Sequence, residues 1–186
     1  QGVQNSWVLP PGALRAQFEA ALAGAGAVKI GMLGTAGSVE TMVECVGAGQ
    51  IPMVLDPVIA ASSGGELLSE DGVIALRDRL APKATLVTPN LVEFEALGGL
   101  EWVRSSGAAV LLKGGHMDSD LLVDRLWLQD GSEHCFEHQR IPGGSPRGTG
   151  CRLASAIAAS LASGQPLLRS VSEGIAWLQE HLNQQL

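Results

Sequence analysis

Gly148, Thr149, Gly150 and Cys151 stand at the mouth of a small-residue helix, "RLASAIAASLASG". Glycine and threonine before a helix leave main-chain N–H groups able to face a ligand. Together with the positive end of the helix dipole they make a site for phosphate or for developing negative charge. A bulky side chain at position 148 would hinder close approach, and Gly148 has none. A thiol in the first turn is expected to have a lowered pKa, because a helix N-terminus favours thiolate. Arg147 and Arg152 would push the same way if they lie near. Cysteine hydrolase chemistry is disfavoured, since no histidine has a clear place beside Cys151.

Further polar residues follow short apolar runs. Gly31-Met32-Leu33 ends "AVKIGML" (27–33), Asp56-Pro57-Val58 ends "IPMVLDPV" (51–58), and Thr88-Pro89-Asn90 ends "ATLVTPN" (84–90) with Glu93 one turn on. Lys113 to His116 ends "AAVLLKGG" (108–115). In an open parallel sheet, ligands bind outside the carboxyl ends of the strands. One crevice could therefore hold all these groups.

The elements that must position them alternate. Helical spacing of Val39, Met42, Val43 and Val46 predicts a helix over 37–48, and Ser69 is expected to cap another over 69–82. Continuous apolar strands between helices point to a parallel sheet covered on both faces. Asp130-Gly131 predicts a hairpin within 121–141. Leu153, Ile157 and Leu161 mark the stripe of a helix from Gly148 to about Ala162, and a last helix runs from Pro166. The crossover from Asn90 to Ala108 is short for a loop and a helix, with Gly98-Gly99 awkwardly in its middle. Residues missing from that stretch would be one reason.

Each residue also has a plainer reading. Gly-Thr-Gly alone is often a packing device, and a lone cysteine is often inert core. Asp56 could end a strand, Asn90 could be a cap, Glu93 a first-turn acid and Met32 core filler. Strand alternation puts His134 and His138 on one face and Cys135 on the other. With no suitably spaced fourth ligand, these read as surface histidines rather than a metal site.

The 186 residues are 46% hydrophobic and 17% charged, which describes a globular chain read here as one domain over 1–186. A net charge of −7 argues against a general nucleic-acid binder. No apolar run is long enough to span a membrane. Three widely spaced cysteines suit free thiols in a cytoplasmic setting.

The segments "VKIGMLG" (28–34), "VLDPVIAASSGGELL" (54–68), "TLVTPNLVEFEAL" (85–97), "VLLKGGH" (110–116) and "GTGCRLASAIAASLA" (148–162) come in one order over most of the chain. In that order they resemble the hydroxymethylpyrimidine and phosphomethylpyrimidine kinases of thiamine biosynthesis, within the ribokinase-like superfamily. The resemblance implies a three-layer α/β/α fold with a mostly parallel central sheet, here lacking the family's N-terminal strands. It implies transfer of the ATP γ-phosphoryl group to a hydroxymethylpyrimidine or its monophosphate, with magnesium. Gly148, Thr149 and Gly150 would form the anion hole, with Cys151 as base. Met32 and Val58 would line the pyrimidine pocket. Asp56 and Glu93 would serve the metal, and Thr88, Asn90 and Lys113 the nucleotide. A homodimer is also expected. A pyridoxal kinase and a non-catalytic pyrimidine-binding relative are the alternatives. The family usually has His and Thr where this chain has Arg147 and Arg152.

Overall fold

The computed structural model describes residues 7–47, 51–60, 65–114, 121–140 and 148–184. Arg147 and His116, both singled out in the sequence, lie outside the described residues. Four short strands, β1 (Val28–Ile30), β2 (Met53–Leu55), β3 (Leu86–Val87) and β4 (Ala109–Leu112), pair in parallel in chain order. The antiparallel hairpin β5 (Leu121–Trp127) and β6 (Glu133–Gln139) extends the sheet from β4.

Adding parallel strands always in one direction places every right-handed crossover on the same face. The helices α2 (Ala36–Cys45), α3 (Glu70–Ala75), α4 (Leu91–Leu97) and α5 (Gly99–Ser105) accordingly share one face. There Val39, Met42, Ala75, Phe94, Leu97 and Trp102 pack on Ile30, Met53, Leu55, Val87 and Val110. Val54, Leu86, Ala109 and Leu111 point the other way. They meet Leu153, Ile157 and Leu161 of α6 (Thr149–Ala162) and Val171, Ile175 and Leu178 of α7 (Leu167–Asn183). Each fully buried Leu, Ile or Val contributes about 1.5–3 kcal/mol by leaving water. The sheet is thus covered on both faces, as the unbroken apolar runs predict.

Three local details differ from the sequence expectation. Ser69 occupies the cap position of α3, yet its hydroxyl bonds Asp71 rather than capping the helix. The helix then widens over Leu76–Leu80 and ends in a tight turn, Ala81–Lys83. The short crossover after Asn90 holds two seven-residue helices, because Gly98, with φ 108°, ends α4 where α5 begins. Helix α1 (Pro11–Leu22) forms where apolar periodicity is weak. It buries no residue fully and packs through Leu14 and Phe18.

Candidate active site at the amino end of α6

Strand parity decides which side chains meet. Val54, Leu86 and Leu111 face α6 and α7, so Asp56, Thr88 and Lys113, each two residues on, point to that same side. Backbone bonding continues past the strands and fixes these residues. Asp56 N–H donates to Ile30 O at 2.8 Å, Thr88 N–H to Leu55 O at 2.9 Å and Lys113 N–H to Pro89 O at 3.0 Å. All three lie at the carboxyl edge, under the start of α6.

Asp56 is the hub. It is 2% exposed, and a carboxylate so buried must be paired. Lys113 Nζ donates to Oδ1 at 3.0 Å, Thr88 Oγ1 donates to the same oxygen at 3.3 Å, and Lys29 Nζ lies 3.6 Å from Oδ2. Burial pushes the Asp56 carboxyl up. The charge and hydrogen bond of Lys113, the charge of Lys29 and a hydrogen bond from the Cys151 thiol outweigh it and hold it below the ordinary 3.8. Lys29 is absent from the sequence expectations. Its signal was available, a charged residue inside the apolar strand "AVKIGML".

Glu93 and Asn90 form a reciprocal cap on α4. Asn90 N–H donates to Glu93 Oε2 at 2.7 Å, and Glu93 N–H donates to Asn90 Oδ1 at 2.9 Å. Lys113 Nζ stands 3.9 Å from that same Oε2. Burial raises the Glu93 carboxyl above 4.5, Asp56 adds to the rise, and Lys113 and the Asn90 and Ile59 amides oppose it.

Gly148 begins α6 with φ 82°, a left-handed conformation that other residues adopt at a cost. As the N-cap residue, Gly148 has no side chain with which to cap this helix end. A Cβ on Gly150 would stand 3.0 Å from Lys113 Nζ, so the lysine ammonium lies directly against the first turn. Main-chain donors, the helix dipole and two lysines thus converge on one small volume.

The Cys151 thiol departs from expectation. It is raised above 9.0, not lowered: crowding by the protein comes first, then the charge of Asp56 and the hydrogen bond to it. The cations that oppose the rise are Lys29 and Lys113. Arg152 instead lines a groove of about 610 Å³ between α6 and α7, which starts at Cys151 and runs past Glu173 to Trp177.

Other expected residues divide. Met32 follows β1 and is exposed, and Val58 is half-buried two residues beyond Asp56. Both sit at the carboxyl edge, free of the ionic cluster. Thr88 is 0% exposed with its hydroxyl spent on Asp56, so it holds Asp56 and does not present itself to a nucleotide. Asp56, expected beside the metal, has lysines on both oxygens. Among the described residues no three His, Cys, Asp or Glu side chains form a metal-binding group. His138 is not a surface histidine but pairs with buried Asp124.

The helix end that follows Gly148 thus lies beside Lys113 at the carboxyl edge of a parallel sheet. The sequence profile of phosphomethylpyrimidine kinases matches residues 1–186. The chain belongs to the phosphomethylpyrimidine kinase family. The hydroxymethylpyrimidine/phosphomethylpyrimidine kinase of Streptomyces coelicolor is 41% identical over 181 residues, covering 89% of this chain and 66% of that protein. The Escherichia coli kinase of the same name is 34% identical over 201 residues, covering 99% and 75%. Two solved structures share the fold. An ADP complex of Bacillus subtilis pyridoxal kinase has a TM-score of 0.80 at 28% identity, covering 93% of this chain and 73% of that one. A Clostridium difficile phosphomethylpyrimidine kinase has a TM-score of 0.76 at 26% identity, covering 97% and 83%. The ribokinase-like three-layer architecture expected from the sequence is therefore the family's fold.

Proposed function

We propose that this member of the phosphomethylpyrimidine kinase family transfers the ATP γ-phosphoryl group to the primary hydroxyl of hydroxymethylpyrimidine, to its monophosphate, or to both. The observation that carries the reading is the contact of Lys113 with Asp56 under the glycine-led start of α6, with the Cys151 thiol on the same carboxylate. The names of the 41% and 34% identical relatives support the substrate class.

Phosphoryl transfer needs positioning and charge stabilisation more than covalent help. In this reading the first-turn amides of Gly150 and Cys151 and the Lys113 ammonium hold the transferring phosphoryl oxygens. Gly148 and Thr149 shape the same turn. Cys151 acts as the base from its thiolate, its own S–H proton having left to solvent, and takes the proton of the attacking hydroxyl. The thiol so formed keeps its hydrogen bond to Asp56. Such a base contributes typically ~10²–10⁴-fold. Met32 and Val58 line the ring pocket. Asn90 and Lys113 lie on the phosphate side of the nucleotide.

Magnesium usually takes one or two carboxylates plus substrate phosphates rather than an all-protein cage. Glu93 is the carboxylate that fits this pattern, and the ion would neutralise phosphate charge. We take the protein as a cytoplasmic homodimer built on one domain. The three free thiols support the compartment, and among the described residues no helix is long and apolar enough to cross a membrane.

A second reading is pyridoxal kinase, favoured by the TM-scores of 0.80 to pyridoxal kinases solved with ADP. Offering hydroxymethylpyrimidine, its monophosphate and pyridoxal to the protein with ATP separates the readings. A phosphate ester of the pyrimidine supports the proposal, and an ester of pyridoxal alone favours the second. Binding without any ester would identify a non-catalytic relative.

A further inference from the structure

β5 alternates exposed and buried residues, and its inward column is Leu122, Asp124 and Leu126. Leu126 belongs to the core under α6 and α7. An acid thus stands where the pattern calls for another leucine, and it is only 4% exposed. Burying a carboxylate in an apolar column is costly unless each oxygen is bound. Asp124 meets that demand with two partners from different elements. Its Oδ1 accepts the Gly114 N–H at 2.6 Å, and His138 Nε2 lies 3.2 Å from its Oδ2. The other ring nitrogen, Nδ1, is 2.9 Å from Nε2 of Gln179 on α7. The ring is thereby bound on both sides, with Nε2–H donated to Asp124 and Nδ1 facing the Gln179 amide.

The chain of contacts ends at the peptide that follows Lys113. The β4–β5 register sets Leu112 opposite Arg125, so Lys113 falls opposite Asp124 and Gly114 opposite Val123. Gly114 is pressed so closely to β5 that a Cβ would stand 2.3 Å from Val123 O. Lys113 is held from behind by its own N–H on Pro89 O. The Asp124 carboxylate fixes it from the front, through the next amide. Between them, Pro89 and Asp124 set the direction in which the lysine side chain leaves the sheet.

We propose that Asp124, oriented by His138 and Gln179, is a positioning residue that holds the Lys113-Gly114 peptide so that the Lys113 ammonium meets the start of α6. The inference rests on the kinase reading for its kinetic effect but not for its structural one. Asp124→Asn keeps the acceptor oxygen and loses the charge, whereas Asp124→Leu removes the acceptor and completes the apolar column.

The test is a double-mutant cycle with Lys113→Ala, read as kcat and KM for ATP, together with hydrogen exchange at the Gly114 amide. Small misplacements of a charge-stabilising group cost on the order of ten- to a hundredfold. The expected result is that Asp124→Leu lowers kcat/KM by about that range, that Asp124→Asn recovers part of it, and that neither change adds to the loss in Lys113→Ala. Gly114 exchange is expected to accelerate in Asp124→Leu. Independent, additive losses would overturn the proposal, as would unchanged protection of Gly114. Should the wild-type protein phosphorylate nothing, the kinase reading fails, and Gly114 exchange alone decides the positioning role. Should Asp124→Leu not fold, the same cycle is read with Asp124→Ala, which also removes the acceptor, and additivity or unchanged exchange again refutes it.

Discussion

The ammonium of Lys113 lies 3.0 Å from Oδ1 of Asp56, although 57 positions separate the two in the chain. Asp56 follows β2 and Lys113 follows β4, and β3 lies between them. The pair spans three strands because both residues rise from the same face at the same edge. Removing the lysine leaves a buried carboxylate with Lys29 at 3.6 Å as its remaining cation. Lys113→Ala is therefore expected to lower stability by about 3 kcal/mol and to cut kcat/KM for ATP severely. Denaturant unfolding and steady-state kinetics check both.

The same pair sets a pH dependence. The Asp56 carboxyl lies below its ordinary 3.8 in the folded protein. Its contribution to stability is then fully present above that value and is lost as pH falls through the lower, folded value. In Lys113→Ala the carboxyl loses its largest charge-stabilising partner and its folded value rises, so the variant's deficit in stability should narrow as pH falls. Denaturant unfolding of parent and variant recorded across pH 2–5 (about the carboxylate range) would show the gap closing at the acid end. A gap that stays constant with pH would mean that Asp56 draws its stabilisation elsewhere.

Cys151 offers a chemical readout of its neighbour. Because crowding and Asp56 raise the thiol above 9.0, alkylation by iodoacetamide at neutral pH should be slow. Asp56→Asn removes the charge and weakens the acceptor, while Lys29 and Lys113 still favour thiolate. The variant should therefore alkylate faster than the parent at pH 8, about ten times so for a change of one pKa unit. Mass spectrometry of the Cys151 peptide over time distinguishes this from labelling at Cys45 or Cys135.

His138 should titrate in the opposite sense to Asp56. Its hydrogen bond to Asp124 comes first among the causes that raise it above 6.5, burial opposes it, and the Asp124 charge adds. The stability it lends is fully present below 6.5 and is lost as pH rises through the folded value. His138→Gln should flatten stability between neutral and mildly alkaline pH. A histidine ring resonance that titrates at its ordinary position would contradict the pairing.

Much of the fold was legible because apolar runs and helical spacing report burial directly. "PMVLDPV" and "AAVLLKGG" are apolar on both parities, as strands covered on both faces must be. Asp130-Gly131 marked its hairpin, where Gly131 has φ 84° and Asp130 Oδ1 accepts the Ser132 N–H at 2.9 Å. The gathering of Asp56, Glu93, Lys113 and Cys151 at one edge was legible too, since strand ends of a parallel sheet share an edge. Partner choice within that edge was not. Whether Thr88 faces a nucleotide or Asp56, and whether Cys151 meets cations or a carboxylate, depends on distances of a few ångströms between separate strands. Lys29 and the Asp124–His138 pair were hidden for a different reason: each interrupts a pattern that was read for its apolar members. A lysine or aspartate inside a buried strand is itself the signal.

The most direct measurement of the central claim is ATP-dependent phosphorylation of hydroxymethylpyrimidine by the protein and by its Cys151→Ala variant. The account predicts that the parent forms the phosphate ester and that the variant loses ~10²–10⁴-fold in kcat with KM for ATP nearly unchanged. Failure of the parent to phosphorylate any pyrimidine alcohol, or equal kcat in parent and variant, would contradict it.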